Sequence, residues 1–121
     1  MKAGRNGPVG GSQMRVWMES DVSDEAVHVA GELDTLTAND LLEGVRPSLL
    51  AGSGDLTLDI SALSFMDSAG LLALLDLSKQ LEGRGRLVLL SPVRSVARLL
   101  QLARADTIPN LAIVPHRSTA A

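Results

Sequence analysis

The sequence predicts a single α/β domain built on a mixed, mostly parallel sheet of four or five strands, with helices packed mainly on one face. Three observations point there. The chain has 121 residues, the size of one domain. Its apolar residues follow a period of two in some stretches and helical spacing in others. After an opening pair of strands the two kinds of stretch alternate, which is the pattern of parallel strands joined by crossover helices. Each crossover is expected to be right-handed.

The elements follow in order. Met14, Val16 and Met18 alternate with Arg15, Trp17 and Glu19, which predicts a half-buried strand. Asp21 to Asp24 supply turn residues, and Ala26 to Ala30 resume as a strand with Val27 and Val29 on one face, so the two should form a hairpin. Gly31-Glu32-Leu33-Asp34 breaks that pattern. Thr37 is placed as an N-cap, with Asp40 three residues on. Ala38, Leu41, Leu42, Val45 and Leu49 then mark the inner face of a helix. Pro47 conflicts with that helix: it removes a backbone donor and strains the preceding turn at ~3 kcal/mol or more, so a kink or break is expected near Arg46.

Gly52-Ser53-Gly54 reads as a loop, Leu56, Leu58 and Ile60 as a third strand, and Ser61 to Met66 as a connection. Leu71, Leu74, Leu75 and Leu81 give the inner face of a second helix, with Asp76, Lys79, Gln80 and Glu82 away from it and Gly83-Arg84-Gly85 ending it. Leu87 to Leu90 form a continuous apolar run, as expected of a strand covered on both faces. Ser91-Pro92 looks like a helix start, Ser as cap and Pro in the first turn, with Val96, Leu99, Leu100 and Ala103 buried behind it. Leu111 to Val114 would add a short edge strand. Residues 14–115 thus form the domain. The Gly-rich stretch 1–13, with Lys2, Arg5 and Pro8, is expected to be a disordered tail and 116–121 a flexible one.

Composition narrows the function. Aromatics are 2% of the chain, which leaves few platforms for stacking nucleobases. The net charge is −3 and the pI about 5.2, against duplex binding by clustered cations. There is no Cys, hence no disulfide, thiolate metal site or cysteine nucleophile, and the chain is compatible with a reducing compartment. No run approaches the roughly 20 apolar residues of a membrane span, and the N-terminus lacks the apolar core of a signal peptide.

The most informative stretch is Phe65-Met66-Asp67-Ser68-Ala69-Gly70-Leu71. Asp67 and Ser68 stand where the second helix begins, and both are good N-caps whose loss costs ~1 kcal/mol, so capping alone would account for them. The surrounding pattern adds to this. Gly31-Glu32-Leu33-Asp34, then Leu58-Asp59-Ile60-Ser61, then Phe65 to Leu71 occur in an order and spacing that resemble the STAS family, and within it the bacterial anti-sigma factor antagonists. The resemblance runs from about Met14 to Val114, and its first and third motifs are specific only as a pair.

That resemblance implies a non-enzymatic, cytoplasmic module without a cofactor of its own. It implies that the unphosphorylated form binds an anti-sigma factor, itself a serine kinase, and so releases sigma. Phosphorylation on Ser68 would switch it off and a phosphatase would restore it. The implied partner surface comprises Asp34, Asp67, Ser68, Ala69, Gly70 and Leu71. Weak homodimerisation is left open. Two departures from the family stand out: Ala69 occupies a position where many members have a second Ser, and Pro47 interrupts a helix that members usually keep continuous. The family also offers an alternative, a STAS subunit docking on a membrane transport system.

Other chemistries fit less well. A serine hydrolase elbow would need Gly where Met66 stands, and His28, in a strand, and His116, in the tail, are poor candidates for a base. Glu32, Asp34, Asp59 and Asp67 could be imagined around magnesium, but capping and loop solvation explain them more simply. Arg94 and Arg98 lie one turn apart, while Arg104 drifts off that face, as in a solvated helix surface rather than an anion site.

Overall fold

The computed structural model describes residues 14–18, 26–51 and 54–115. The turn at Asp21–Asp24, Gly52-Ser53, His116 and both tails lie outside them. Five strands form one sheet in chain order. β1 (Met14–Met18) pairs antiparallel with β2 (Val27–Leu33); β3 (Leu56–Met66), β4 (Leu87–Leu90) and β5 (Leu111–Val114) follow, each parallel to its predecessor. The parallel strands are joined by α1 (Ala38–Ala51), α2 (Ser68–Gln80) and α3 (Arg94–Leu102), with a 3-10 turn at Ala105–Thr107 before β5.

Strand alternation divides the sheet into two unequal faces. Met14, Val16, Val29, Leu58, Leu87, Leu89 and Leu111 are buried in one core cluster with Leu41 and Val45 of α1, Leu74 and Leu77 of α2, and Val96 and Leu100 of α3. α1 packs on β1 and β2, α2 on α1 and β3, and α3 on β3. On the opposite face Trp17 stacks on His28, ring centroids 5.4 Å apart. Val88 and Leu90 are only half-buried there, so β4 is fully covered on one face and not, as its apolar run predicts, on both.

Several local expectations change. β2 continues through Gly31 to Leu33, and β3 continues past Ile60 through the predicted connection to Met66. Two register shifts in the β2–β3 pairing, at His28/Ala30 and Gly31/Glu32, let the longer β3 stay alongside the shorter β2. Beyond Ile60 the buried residues of β3 are Leu63 and Met66, a spacing of three. α1 runs unbroken through Pro47. The carbonyl that loses its donor there belongs to Glu43, and both residues are on the exposed side, where water can serve it. α3 begins at Arg94 rather than at Ser91-Pro92. Ser91 has φ 56° and gives its N–H to the Val114 carbonyl (2.7 Å), so it closes the end of β4 instead of capping a helix. Ala103, expected inside, is the exposed C-cap of α3.

At the opposite end of the strands from Ser68, Asp55 holds the entry to β4. Its Oδ1 accepts the Arg86 N–H (2.8 Å) and its Oδ2 the Arg86 Nη2 (3.2 Å). These bonds, the backbone one foremost, hold the Asp55 carboxyl below its usual range. The folded pKa is thus depressed, so the contribution is present above the unfolded value of 3.8 and lost as pH falls through the folded one. Asp55→Asn should therefore lower stability slightly at neutral pH and not at all once the pH is below both values, as read by denaturant midpoints across pH 2–7. A pH-independent penalty would contradict the assignment.

Candidate functional site

The site is built where β2 and β3 end together. Glu32 lies opposite Phe65, and Leu33 opposite Met66. The Leu33 carbonyl then accepts the Asp67 N–H (3.2 Å), tying the start of α2 to the end of β2. Ser64 Oγ adds a bond to the Gly31 carbonyl (3.1 Å).

The turn after β2 is organised by Asp34. Its Oδ1 accepts the N–H groups of Leu36 (2.9 Å) and Thr37 (3.2 Å), and its carbonyl accepts that of Ala38 (2.9 Å). Thr37, expected as the cap of α1, is buried: its hydroxyl donates to the Glu32 carbonyl (2.6 Å) and accepts the Asp34 N–H (2.9 Å). Thr37 thus locks the turn to β2 with its hydroxyl while its carbonyl accepts the Leu41 N–H (3.1 Å) at the start of α1, and Asp34 Oδ1 holds the N–H groups of the turn before the helix.

At the start of α2 the division between Asp67 and Ser68 is clear. Asp67 has extended backbone, φ −114° and ψ −170°, and its Oδ1 accepts the Gly70 N–H (3.1 Å). Asp67 is the N-cap and Ser68 is the first helical residue. Ser68 is exposed, and among the described residues no hydrogen bond engages its hydroxyl. Asp67→Ala should cost ~1 kcal/mol and Asp67→Asn much less, measured by urea unfolding. Equal losses for both would show that charge rather than the cap bond matters.

The remaining residues of the motif divide by burial. Ala69 is half-buried, whereas Gly70 and Leu71 are buried. A Cβ on Gly70 would lie 2.5 Å from the Leu33 carbonyl oxygen and 2.7 Å from Leu33 Cγ, so the glycine lets α2 press against β2. Gly70 and Leu71 therefore hold the helix in place, packed inward while Ser68 is exposed. Three large apolar residues near Ser68 in the chain or on the Asp34 turn are exposed: Phe65, which belongs to the motif, and Leu36 and Leu72, which the sequence did not single out. Phe65 is also the one phenylalanine in the chain and opens the motif.

The acidic residues serve separate local purposes. Asp59 Oδ1 accepts from Ser61 N (3.0 Å) and Oγ (2.7 Å), and its Oδ2 is 3.5 Å from His28 Nδ1. Seven residues separate Asp59 from the end of β3, on the order of 20 Å of strand, so His28 is remote from Ser68. Among the described residues no group of three or more His, Cys, Asp or Glu could hold a metal ion, and no helix is long and apolar enough to cross a membrane.

The STAS domain family model matches residues 18–120. The chain belongs to the STAS domain family. Solved structures share the fold. The anti-sigma factor antagonist SpoIIAA in its unphosphorylated form is 23% identical, with 82% of this chain and 87% of that one covered at a TM-score of 0.63. An anti-sigma factor antagonist from Mycobacterium paratuberculosis is 24% identical, covering 85% and 89% at a TM-score of 0.66. A candidate antagonist from Thermotoga maritima is 23% identical, covering 86% of each chain at 0.65. Within this STAS domain, Ser68 and the Asp34 turn lie on neighbouring connections at the same end of the sheet.

Proposed function

We propose that this STAS domain is an anti-sigma factor antagonist, cytoplasmic and without catalytic activity, whose binding is switched by phosphorylation of Ser68. Unphosphorylated, it binds an anti-sigma factor with serine-kinase activity and so releases sigma. Phosphorylated, it lets go, and a phosphatase restores it. The observation that carries this reading is an exposed serine at the first position of a capped helix, its hydroxyl unengaged among the described residues. The neighbouring Asp34 turn, the half-buried Asp67 and Ala69, and the antagonist structures sharing the fold support it.

A hydroxyl there is accessible to a kinase because Asp67, not Ser68, fills the capping role. A phosphate would add a charge of about −1.5 to −2 and strong acceptors. The helix start would favour it by roughly 0.3–1 kcal/mol, and Asp67 would oppose it by a similar amount. The fold should thus change little while the binding surface changes greatly.

The deciding experiment is incubation with the kinase partner and ATP, followed by peptide mass spectrometry. Phosphate is expected on Ser68. An active kinase that leaves Ser68 unmodified would rule the switch out.

A further inference from the structure

Charge is segregated along the chain. Between Met14 and Ser78 the sequence holds twelve of its fourteen acidic residues but two of its eleven basic ones, Arg15 and Arg46. From Lys79 to Pro115 six basic residues stand against two acidic ones. In a fold whose strands were shuffled this would average out. Here the sheet order is the chain order, so among the described residues the asymmetry becomes spatial: up to Ser78, eight acidic residues stand against Arg15 and Arg46 on the side of β2, β3, α1 and α2, while Arg84, Arg86, Arg94, Arg98 and Arg104 stand against Glu82 and Asp106 on the side of β4, β5 and α3. Ser68 lies on the acidic side.

Apolar exposure is also uneven. The large exposed apolar residues are Leu36, Leu50, Phe65, Leu72 and Leu102, among the described residues. Leu50 and Leu102 sit at the far ends of α1 and α3 and are the scattered kind that any surface carries. The other three lie on the elements that adjoin Ser68: the end of β3, the first turns of α2 and the Asp34 turn. Phe65, 46% exposed, precedes it by three residues; Leu72, 64% exposed, lies one turn further along the same helix face. Leu36, 77% exposed, stands on the turn that Asp34 folds against the end of β2. Glu32, Asp34, Asp67 and, one turn beyond Leu72, Asp76 flank the three.

We propose that this face docks on a protein surface with apolar recesses for Leu36, Phe65 and Leu72 set among Lys and Arg side chains, and that the acidic side of the domain steers the encounter. The inference rests on the antagonist reading and deepens it by stating the chemistry of the partner. Steering by opposite charge acts on the association rate, and desolvated apolar anchors act on dissociation. One consequence is specific. A phosphate on Ser68 adds charge of the sign that a basic partner attracts, so long-range electrostatics cannot be what releases the phosphorylated form. Release comes from the short-range cost of desolvating the phosphate between the anchors, and the phosphorylated protein should associate about as fast as the unmodified one and dissociate much faster.

The test uses the full chain and the anti-sigma kinase that modifies it, with binding followed by surface plasmon resonance. Raising NaCl from 0.1 to 1 M shortens the screening length from about 10 to about 3 Å, and the association rate should fall about tenfold or more. Leu72→Ser should weaken affinity about tenfold or more through dissociation, whereas Leu102→Ser, even more exposed but at the far end of α3, should not. Both variants alter surface residues and should fold, checked by circular dichroism. Binding whose association rate ignores salt, or whose affinity ignores Leu72→Ser, overturns the proposal and leaves the Ser68 switch standing. Failure of the kinase to bind at all removes both.

Discussion

Phosphorylation of Ser68 should lower affinity for the anti-sigma partner about a hundredfold, equivalent to about 2.7 kcal/mol, while shifting the unfolding free energy by less than ~0.5 kcal/mol. The two halves of that expectation have different origins. Stability is nearly indifferent because helix-dipole attraction and repulsion from Asp67 offset each other. Affinity is not, because a group bearing close to two charges would have to be desolvated where a hydroxyl was fitted. Ser68→Ala should bind like the unmodified protein and resist the kinase. Ser68→Asp should bind more weakly, though less so than the phosphorylated form, since a carboxylate has less charge and fewer acceptors. Titration calorimetry with the three proteins reads the affinities directly. Equal binding by Ser68→Ala and Ser68→Asp would remove Ser68 from the mechanism, and amide NMR shifts spread far from Ser68 would place the switch in the fold.

Gly70→Ala should destabilise the domain by about 1–3 kcal/mol, the usual cost of overpacking. The naive expectation has the opposite sign, since Ala is favoured over Gly in a helix interior by about 1 kcal/mol. Contact decides between them. The new methyl would meet the Leu33 carbonyl oxygen at 2.5 Å and Met66 Cγ at 2.9 Å. The Met66 side chain can turn aside; the Leu33 backbone cannot. That carbonyl also accepts the Asp67 N–H, so moving α2 outward breaks the bond that positions the helix start. The variant should thus lose both stability, in urea unfolding, and partner affinity, because Ser68 moves with α2. A gain in stability would mean the helix slides at no cost.

Much of the fold was legible because one face of each element is buried. The alternation of Leu56, Leu58 and Ile60, and the helical spacing of Leu41, Val45 and Leu49, follow directly from the covered face of the sheet. The far half of β3 was not legible, since the register shifts change its burial from every second residue to every third, and a rule of period two sees a loop. Pro47 misled because its cost depends on where the orphaned carbonyl points, which no local pattern encodes. Ser91-Pro92 misled because a tertiary bond to Val114 competes for the Ser91 backbone. At the site, the motif located Ser68 and the Asp34 turn, and the structure assigned their parts: Asp34 and Asp67 fold their turns, Gly70 and Leu71 fill the core, and Ser68 is presented. Exposure of Leu36 and Leu72 depends on what surrounds them in space, and the sequence does not carry that.

The length of β3 has a bearing on solubility. β4 runs beside only Leu56 to Asp59, so the later part of β3 has β2 on one side and no further strand on the other among the described residues. A bare strand edge invites strands of other chains to add to it and seed aggregates. Bulged, twisted edges are poor templates for that, and here the two register shifts fall beside the overhang, with Ser61 and Ser64 exposed along it. The irregularity that lets β3 reach Ser68 thereby also guards the edge it leaves open.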